Sequence, residues 1–512
     1  MPPPRVRVVS ARESAQRDRE AIDSGIPSSA LMERAGAAAA NEISRRYREQ
    51  LRTGAVVFTG PGNNGGDGWV VAGCLSRDGV GVTVVETVQA KSPDAVARKQ
   101  SAIDAVTVAD QAPEGVQVVI DALLGTGSEG KPRGKIAEGI ASIDRMRSDG
   151  ARVAALDLPS GLDATTGEHS VCVVADVSLS FGAVKRGMLL ARDCCGEIVV
   201  LDIGLDDIPH PDDETLPALI DGEWVRSRIP PIRFDAHKGT RKHLALVGGG
   251  AGMPGAIVLT CRAALRSGIG LVRALVAPDN VSAILAAAPS ALISEWPTNK
   301  REISAEISGW ADAVVIGPGL GRSDDTRELV EKILRDSKLP VLLDADALNV
   351  FEGDAKSLAA LLAGRPALIT PHVAEFARLA GEKVDQVVAN RFDIGRDLAG
   401  RLRATVLLKG SPTVIFAPSG ERLVVPRGTA ALGTGGSGDL LAGISGTLLS
   451  QTADPVRAAC CAAWIHGRAA ELCEYVRGTT LEDVLYALPR AWNEPEPEPT
   501  PPVLARIPAV AR

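Results

Sequence analysis

Short apolar runs rich in β-branched residues recur through the first half of the chain, and each is followed by glycine and polar residues. The run AVVFT at 55–59 precedes the glycine-rich segment 60–68, and a segment that suits a helix comes next. Two further runs, at 116–127 and 151–163, also end in acidic or polar residues beside glycine. Strand, turn and helix in this order predict βαβ units with right-handed crossovers and a parallel sheet. Ligands bind at the carboxyl ends of the strands of such sheets.

The second half repeats this alternation after a change of composition. A stretch rich in proline and acidic residues, 205–231, separates the two halves. We therefore predict an α/β protein with two doubly wound domains, at 1–214 and 215–490, and a disordered proline- and glutamate-rich tail at 491–512. The runs TVIFAP and ERLVV predict a hairpin. The runs that predict the other strands of the second domain lie at 243–256, 270–278, 313–321, 340–349, 367–372 and 405–410.

Composition excludes several classes of function. With 45% hydrophobic and 23% charged residues the chain is expected to be globular. Only 3% of the residues are aromatic, which argues against a surface that stacks the bases of single-stranded nucleic acid. The formal net charge of −7 provides no basic field for nucleic acid or anionic lipid. The sequence contains no apolar run of about 20 residues, and residues 1–10 do not resemble a signal peptide. The eight cysteines form no CxxC pair, which predicts reduced thiols in a cytoplasmic protein.

The segment TGGSGD, Thr434–Asp439, stands directly before an apolar segment that suits a buried helix. Its three glycines favour a loop whose N–H groups hold an anion such as phosphate at the helix N-terminus. Asp439 would repel that phosphate unless it had another role, such as accepting a proton from an attacking hydroxyl. The alternative is that Asp439 caps the helix. The segment alone supports both interpretations equally.

Other polar residues of the second half follow strands of the same predicted sheet. Lys409 can meet nucleotide phosphates, although a lone lysine in this position is more typically solvated, and His372 alone is more typical of a structural hydrogen bond than of catalysis. Asp344 and Asp346 suit either water bound to Mg²⁺ or an ion-free cap of the strand. Together with the glycine turn at 317–321 they favour phosphoryl transfer over binding alone. A Walker A pattern does not occur, so a nucleotide would be held differently from that class.

In the first half, polar residues also fall at the ends of neighbouring strands. Asn63, Asn64 and Asp67 lie in the glycine-rich segment, and Asp121 and Ser160 lie at the strand ends of the runs 116–127 and 151–163. Asn64, Asp121 and Ser160 can converge and offer hard oxygen ligands to a cation. Each is also a common turn residue, so turn chemistry remains the alternative for each one.

Two sets of motifs resemble known families. GPGNNGGDGWVVA, DALLGTG, LDLPSGLDATTGE and FGAVKRG resemble the NAD(P)H-hydrate epimerase domain. HKGT, GGGAGMPGA, GPGLG, DADALN, TPHVAEF, LLKG and TGGSGD resemble the nucleotide-dependent NAD(P)H-hydrate dehydratases of the ribokinase-like superfamily. The sets occur in the expected order over about residues 8 to 490 and together resemble the bifunctional NAD(P)H-hydrate repair enzymes. This resemblance implies a Rossmann-like three-layer N-terminal domain and a ribokinase-like C-terminal domain.

The resemblance implies a damaged cofactor as substrate, NADH or NADPH hydrated at C6 of the nicotinamide ring. The N-terminal domain would interconvert the R and S hydrates with K⁺ bound. The C-terminal domain would dehydrate the S hydrate with Mg²⁺ and ADP, or ATP in some relatives, giving NAD(P)H, AMP or ADP, and phosphate. A homo-oligomer without a nucleic-acid or membrane partner is expected.

The same resemblance implies the roles of individual residues, with Asp157 and Asp439 as the catalytic residues. The K⁺ ligands would be Asn64, Asp121 and Ser160. The hydrate in the first domain would be held by Asn63, Asn64, Gly65, Gly66, Asp67, Gly125, Thr126, Gly127, Ser128, Glu129, Gly130, Lys131 and Asp157. In the second domain the hydrate would meet Ala256, Gly319, His372 and Asp439, and the nucleotide would meet Lys409, Gly410, Ser411, Pro412, Thr413 and Gly438.

The chain departs from the family pattern in two places. Relatives usually read close to NPGMATGG ahead of the GxGD element, where this chain has TAALGTGG at 429–436, and Lys242 stands where relatives often have glycine. The loss of the proline and asparagine changes the loop next to the expected nucleotide site and therefore bears on the affinity for the nucleotide. The GxGD element, which contains Asp439, is intact, so the chemistry is expected to be kept. The competing hypotheses are a ribokinase-like vitamin or sugar kinase, which would not need the N-terminal domain, and a nucleotide-binding scaffold, which would not need Asp439 beside phosphate.

Overall fold

The structure is a computed structural model that describes residues 6–205, 208, 215–296 and 305–510. The chain divides into two compact units. Unit 1 consists of the residues up to Leu216 together with Pro497–Val510, and unit 2 consists of Pro217–Glu496. The predicted domain limits fall close to this division and stay predictions, since residues 209–214 lie outside the described part of the chain.

Twenty strands form the sheets of the described residues. In chain order they are β1 (Val8–Val9), β2 (Ala55–Thr59), β3 (Val82–Glu86), β4 (Thr107–Ala109), β5 (Val118–Ala122), β6 (Arg152–Leu156), β7 (Val177–Phe181), β8 (Val184–Lys185), β9 (Glu197–Leu201), β10 (Ala218–Leu219), β11 (His243–Val247), β12 (Leu271–Val276), β13 (Leu292–Glu295), β14 (Ala313–Ile316), β15 (Val341–Leu343), β16 (Ala367–Ile369), β17 (Thr405–Leu408), β18 (Thr413–Phe416), β19 (Arg422–Val425) and β20 (Val503–Ile507).

The helices mostly stand between successive strands. Within the described ranges, no helix is both long and apolar enough to cross a membrane. In chain order the helices are α1 (Ala11–Asp23), α2 (Ser28–Arg46), α3 (Asn63–Arg77), α4 (Pro93–Ala102), α5 (Gly134–Ser148), α6 (Arg186–Leu190), α7 (Arg192–Cys195), α8 (Gly222–Arg226), α9 (Pro254–Arg266), α10 (Val281–Ala287), α11 (Asp324–Asp336), α12 (Asp346–Asn349), α13 (Ala355–Leu362), α14 (Val373–Ala380), α15 (Val384–Ala389), α16 (Gly395–Leu402), α17 (Ser437–Thr452), α18 (Pro455–Glu471) and α19 (Leu481–Asn493).

Unit 1 is built on an eight-stranded sheet in the order β20-β9-β7-β6-β5-β2-β3-β4, parallel except for β20. Its central strands are apolar on both faces because helices cover both. In β2, Val57 packs with Trp69 of α3 on one face, whereas Val56 and Phe58 belong to the core that contains Ile140 of α5 on the other. Alternate side chains of a strand point to opposite faces, so this short run supplies two cores.

Unit 2 contains a ten-stranded sheet in the order β10-β19-β18-β17-β16-β15-β14-β11-β12-β13. It is parallel except at the predicted hairpin, where β18 pairs antiparallel with β17 and β19. Helices α9, α17 and α18 share one core with this sheet, in which α17 buries Leu440, Ile444 and Leu448. The predicted α/β class with two mainly parallel, helix-covered sheets is therefore confirmed.

The prediction of a disordered tail is wrong for its last part. Residues Val503–Ile507 form β20, which pairs antiparallel with β9 at the edge of the unit 1 sheet. Its buried residues alternate with partly exposed ones, and Arg506 donates hydrogen bonds to Glu42 (3.0 Å) and Glu197 (3.1 Å). The composition of the proline- and glutamate-rich residues before it predicts disorder, although the strand itself has the alternation of buried and exposed residues that is usual for a strand.

This strand gives a prediction about stability. Replacing Ile507 by alanine should lower the free energy of unfolding of unit 1 by about 2–5 kcal/mol, because the side chain is 1% exposed and its loss leaves a cavity. Leu504→Ala is the matched control, since Leu504 lies between the buried positions and is partly exposed. Thermal unfolding of the full chain checks this, and equal losses for both variants would show that β20 is not held against the core.

Candidate active sites

The first candidate site lies where β2, β5 and β6 end in unit 1. Gly60 and Gly65 permit a close approach here, because a Cβ on Gly60 would clash with the carbonyl of Leu123 and one on Gly65 with the carbonyl of Gly60. The turn after β2 therefore lies directly against the loop after β5. This places Asn64, in the first turn of α3, beside that loop, where its amide Nδ2 donates to the carbonyl of Leu124 at 2.9 Å.

Asp157 is at the centre of this site, and its backbone is in the left-handed region with φ +65°. Its Oδ2 accepts hydrogen bonds from the backbone N–H of Thr126 (3.2 Å) and from the Thr126 hydroxyl, and its Oδ1 pairs with the ammonium of Lys185. Lys185 is 1% exposed and also donates to Ser180 Oγ at 3.1 Å. Burial alone would raise the pKa of Asp157, but Lys185 and Thr126 outweigh burial and lower it.

A second buried carboxyl group, Asp67, shares this site. Burial and the nearby charge of Asp157 raise the pKa of Asp67 well above its usual range. The site therefore holds an ionised carboxylate beside a carboxyl group that favours its protonated form. Pairs of groups with such opposed pKa shifts are typical of acid–base sites.

A cavity of about 530 Å³ opens onto these groups. The structure places most of the predicted hydrate-binding residues in its wall. Glu129, Gly130 and Lys131 lie exposed outside the lining, while Gly65 and Gly66 lie buried behind it. The predicted residues that line it are Asn63, Asn64, Asp67, Gly125, Thr126, Gly127, Ser128 and Asp157.

Asn64, Asp121 and Ser160 do converge, as the positions of the strand ends suggest. Ser160 donates to Asp121 from its hydroxyl (2.6 Å) and from its backbone N–H (2.8 Å), and Leu124 N–H donates to Ser160 Oγ at 2.9 Å. Among the described residues, the buried Oδ1 of Asn64 has no hydrogen-bond partner. Burial raises the pKa of Asp121 to about 6, although the Ser160 hydrogen bonds work against this rise. An unpartnered amide oxygen and a buried carboxylate fit a cation that prefers oxygen ligands.

The second candidate site lies at the strand ends of unit 2, around the TGGSGD loop. Helix α17 begins at Ser437 after Gly436, whose φ of +97° is strained for other residues. Asp439 therefore lies in the first turn rather than at the cap, and within the described residues no side chain caps this helix. The interpretation of Asp439 as an N-cap is thus wrong, which leaves its carboxylate available for another role.

Asp439 lies in a negatively charged surrounding. Burial, together with the charges of Asp344, Asp346 and Glu375, raises the pKa of Asp439 to about 7, although Lys409 works against this rise. A carboxyl group with a pKa near neutrality is suited to accept a proton at the working pH. The position and the shift together favour a general base.

Lys409 follows β17 and contacts the same loop. Its Nζ pairs with Asp344 Oδ1 at 2.6 Å, and a Cβ built on Gly438 would lie 3.1 Å from that Nζ. Burial would lower the pKa of Lys409, but Asp344 outweighs it and raises the pKa, so the ammonium stays charged. The predicted nucleotide-binding residues Lys409 and Gly438 are therefore neighbours.

The loop of residues 409–413 is held from behind by Arg391. This buried side chain donates to the carbonyl oxygens of Lys409 (3.3 Å) and Pro412 (3.0 Å). Gly410 has φ +148°, and a Cβ there would clash with the Arg391 guanidinium. Arg391 thus supports the predicted nucleotide loop.

His372 caps helix α14 with its imidazole. The Nδ1 atom accepts hydrogen bonds from the backbone N–H groups of Ala374 (3.1 Å) and Glu375 (3.4 Å), and Glu375 Oε2 accepts one from the His372 N–H (2.9 Å). Because Nδ1 accepts, the proton is on Nε2. The side chain is 51% exposed, and Nε2 lies 3.4 Å from Glu375 Oε1, so Glu375 and the cap together fix the ring.

Two glycine turns bring Ala256 and Gly319 together. Gly249 N–H donates to the carbonyl of Pro318 (3.0 Å) and Gly250 N–H to that of Gly319 (2.6 Å). A Cβ on Gly319 would lie 3.1 Å from the Cβ of Ala256. Both predicted residues thus form one small-residue surface.

Comparison with known proteins assigns a family to each unit. The family described as NAD(P)H-hydrate dehydratase matches residues 244–490, and the family described as YjeF-related protein N-terminus matches residues 28–187. The bifunctional NAD(P)H-hydrate repair enzyme Nnr of Escherichia coli is 36% identical over 494 residues, which cover 93% of this chain and 92% of that protein. The enzyme of the same name from Moorella thermoacetica is 34% identical, over 92% of this chain and 93% of that protein.

The chain belongs to the bifunctional NAD(P)H-hydrate repair enzymes. A relative from Coxiella burnetii, 34% identical over 90% of this chain and 93% of its own length, carries the same name. The prediction of this family from the motifs is confirmed, and with it that the chain is an enzyme.

The sequence did not reveal every charged residue of this family member's first site. Lys185 stands in the motif FGAVKRG, but the sequence does not predict its role, because a lysine within a two-residue strand has no distinguishing pattern. Asp18, which also lines the cavity while remaining exposed, lies on the polar helix α1 and resembles an ordinary surface residue in the sequence. Nothing in the sequence near Asp157 indicates that Lys185 or Asp18 lies close to it.

The two aspartates considered for Mg²⁺ have different surroundings. Asp346 accepts hydrogen bonds from Gly321 N–H (2.8 Å) and from Arg322 Nε (3.3 Å), so it caps the 317–321 turn. Asp344 uses Oδ1 for Lys409, and its Oδ2 would lie 3.8 Å from a Cβ on Gly438. Asp344 is therefore the carboxylate that faces the TGGSGD loop.

Proposed function

We propose that this chain repairs hydrated NADH and NADPH in two steps, with epimerisation of the R and S hydrates in unit 1 and dehydration of the S hydrate in unit 2. The observation that carries this proposal is that, in a chain of this family, the strand ends of each unit hold a lysine together with aspartates of shifted pKa, a group suited to acid–base chemistry. Asp157 with Lys185 and Asp67 forms one, and Asp439 with Lys409 forms the other.

In unit 1 the proposed reaction inverts C6, which carries both the hydroxyl group and the ring nitrogen. Such a carbon can be inverted by opening its bond to nitrogen and closing it on the other face. Opening needs a base at the hydroxyl proton and an acid for the nitrogen. Asp157, kept ionised by Lys185, suits the base, and Asp67, whose raised pKa keeps it protonated, suits the acid. Closing returns both protons.

We infer that Asn64, Asp121 and Ser160 hold K⁺ beside this reaction. The support is the unpartnered Oδ1 of Asn64 together with the buried carboxylate of Asp121. The ion would compensate the charge of Asp121, which burial otherwise makes costly. It would also fix the loop that carries Leu124, next to the substrate-binding residues Gly125 and Thr126.

Removing the Asp121 carboxylate should abolish the stabilisation of the protein by K⁺. We expect K⁺ to raise the melting temperature of the wild-type protein and to have little effect on Asp121→Ala, because the variant lacks the only charged ligand of the proposed site. Asp110→Ala is the control, since Asp110 is exposed on the same unit. Thermal unfolding in K⁺ and in tetraethylammonium salts is the measurement. Equal stabilisation of both proteins by both cations would show that no specific site exists.

In unit 2 the C6 hydroxyl is a poor leaving group, so the proposed route phosphorylates it first. The hydroxyl oxygen bonds to the terminal phosphorus of ADP or ATP, Asp439 takes its proton, and AMP or ADP leaves. The C6–O bond then breaks with release of phosphate, C5 loses a proton, and NAD(P)H forms. The amides of 436–438 and Lys409 stabilise the developing charge.

The same proposal places the nucleotide on residues 409–413 and Gly438. Asp344 Oδ2, which faces the loop, would hold Mg²⁺ through water, because Mg²⁺ keeps several of its waters. Ala256, Gly319 and His372 would contact the hydrate. We further propose a homo-oligomer that acts in the cytoplasm, where free cysteines stay reduced. Size-exclusion chromatography and fractionation test these two points.

The deciding experiment supplies mixed R and S hydrates with ADP, with ATP and without nucleotide. We expect complete conversion to NAD(P)H with a nucleotide, as followed by the absorbance of reduced nicotinamide, and none without it. Conversion that stops when the S form is consumed would remove the epimerase from the proposal. Phosphorylation of a thiazole or pyrimidine alcohol in place of hydrate turnover would identify a vitamin kinase instead.

A further inference from the structure

A histidine and two cysteines form a compact group in unit 1 that the proposed reaction does not use. The possible ligand atoms of His169, Cys172 and Cys194 all lie within 4.8 Å of one another. Cys194 Sγ is 3.5 Å from His169 Nε2 and 3.1 Å from Cys172 Sγ. His169 and Cys172 belong to the loop between β6 and β7, and Cys194 belongs to helix α7.

The orientation of His169 suits metal binding. Its Nδ1 lies 3.0 Å from the carbonyl oxygen of Gly167. A carbonyl oxygen only accepts hydrogen bonds, so Nδ1 carries the proton and Nε2 directs its lone pair toward Cys194 Sγ. Histidines that bind metals commonly donate their other N–H to a carbonyl or carboxylate in this way, which fixes the ring and its tautomer.

The backbone on both sides of the group is held in place. Gly167 N–H donates to the carbonyl of Asp163 (3.0 Å), and Ala175 N–H donates to that of Cys194 (2.9 Å). Gly167 has φ +73°, and a Cβ there would lie 3.0 Å from the carbonyl oxygen of Gly187. These contacts connect the loop to the helix, and they hold the three possible ligands close to one another.

The distances fit a tetrahedral ion once the Cys172 side chain moves, because its sulfur is too close to Cys194 and is held only within 4.8 Å of the His169 ligand atom. With Zn–S of about 2.3 Å and Zn–N of about 2.0–2.1 Å, tetrahedral geometry requires roughly 3.6 Å between sulfur and nitrogen and roughly 3.8 Å between sulfurs. The distance from Cys194 to His169 already agrees. The sulfur pair must open by about 0.7 Å, which rotation of the half-buried Cys172 side chain can supply.

We propose that His169, Cys172 and Cys194 bind one zinc ion, with water in the fourth position on the exposed side of His169. Both thiols lose their protons to solvent on binding, so the ion, two thiolates and neutral imidazole have no net charge. The ion would fasten the β6–β7 loop to α7. That loop also contains Ser160, whose carbonyl accepts a hydrogen bond from Val173 N–H at 3.0 Å, so zinc would stabilise the segment that supports the first site.

The test uses the full chain, treated with chelator and kept reduced with a phosphine. We expect one zinc per chain by mass spectrometry of the metal, and a thiolate-to-metal charge-transfer band when cobalt replaces zinc. His169→Gln and Cys172→Ser should each lower zinc affinity at least ~10-fold and remove the stabilisation that zinc gives in thermal unfolding. His169 is exposed, so its substitution does not endanger folding.

Matched controls lie in unit 2. His237→Gln changes an exposed histidine and Cys473→Ser a half-buried cysteine, and neither should alter zinc affinity. Equal zinc binding by the wild type, the two variants and the controls would overturn the proposal. A Cys172–Cys194 disulfide in protein purified without reductant, combined with no zinc binding after reduction, would overturn it in favour of a redox pair.

Discussion

Replacing Asp157 by alanine should slow interconversion of the two hydrates by about 10²–10⁴-fold, the usual contribution of a general base, and leave dehydration of the S hydrate intact. Asp157 accepts hydrogen bonds from Thr126 and pairs with Lys185 in the first site. The second site is built from other strands of a different sheet, around Asp439. Its turnover of the S form should therefore not depend on Asp157.

The measurement is the time course of mixed hydrates with saturating nucleotide. The variant should consume the S form fast and the R form no faster than spontaneous epimerisation, whereas the wild type consumes both in one phase. Because Asp157→Ala leaves the buried Lys185 without its carboxylate, Asp157→Asn is a second variant that keeps the shape. Loss of S-form turnover in either variant that still folds would contradict the division into two sites.

Glu129→Gln is the matched control for this experiment. The family resemblance implies that Glu129 holds the hydrate, but this residue is exposed and lies outside the cavity lining. If the cavity is the whole binding site, epimerisation should be almost unchanged in this variant. A large rise in KM would show instead that residues 129–131 contact a part of the dinucleotide beyond the cavity.

The convergence of Asn64, Asp121 and Ser160 followed from the sequence because parallel strands bring their carboxyl ends to one edge of the sheet. Each residue stands at or shortly after the end of an apolar run, so the position of that run along the chain was sufficient. The hydrogen bonds from Ser160 to Asp121 confirm the placement. The ion itself remains a proposal.

Residues without such a pattern could not be predicted. Lys185 reaches Asp157 from a two-residue strand, and Arg391 reaches the nucleotide loop from a position between helices, so neither follows an apolar run at a glycine turn. Strand β20 was missed for a related reason. Its five residues follow a proline- and glutamate-rich segment, and their pairing with β9 depends on a partner about 300 residues earlier in the chain.

The interpretation of Asp439 needed the structure. Aspartate is equally suited to cap a helix and to serve as a base, and the sequence TGGSGD fits both. The structure places Gly436 at the cap and Asp439 in the first turn, near Asp344 and Lys409. Its pKa of about 7 results mainly from burial and then from the Asp344 charge, and neither is visible in the sequence.

Asp439→Asn should lower kcat of dehydration by about 10²–10⁴-fold while nucleotide affinity changes little or improves. The substitution keeps the shape and removes the base that accepts the proton of the C6 hydroxyl. Affinity can improve because a negative charge near phosphate is lost. Asp324→Asn is the control, since Asp324 is an exposed aspartate in the first turn of another helix, α11.

The dependence of turnover on pH separates a base from a merely structural residue. In the wild type the ionised form of Asp439 is the base. We therefore expect kcat/KM to rise as the pH increases through about 7, and to be lower at more acidic pH. Asp439→Asn should lose this rise because the titrating group is gone. A variant with near wild-type turnover at saturating nucleotide, or one that keeps the same rise near pH 7, would mean that another group accepts the proton and that Asp439 serves only to shape the loop.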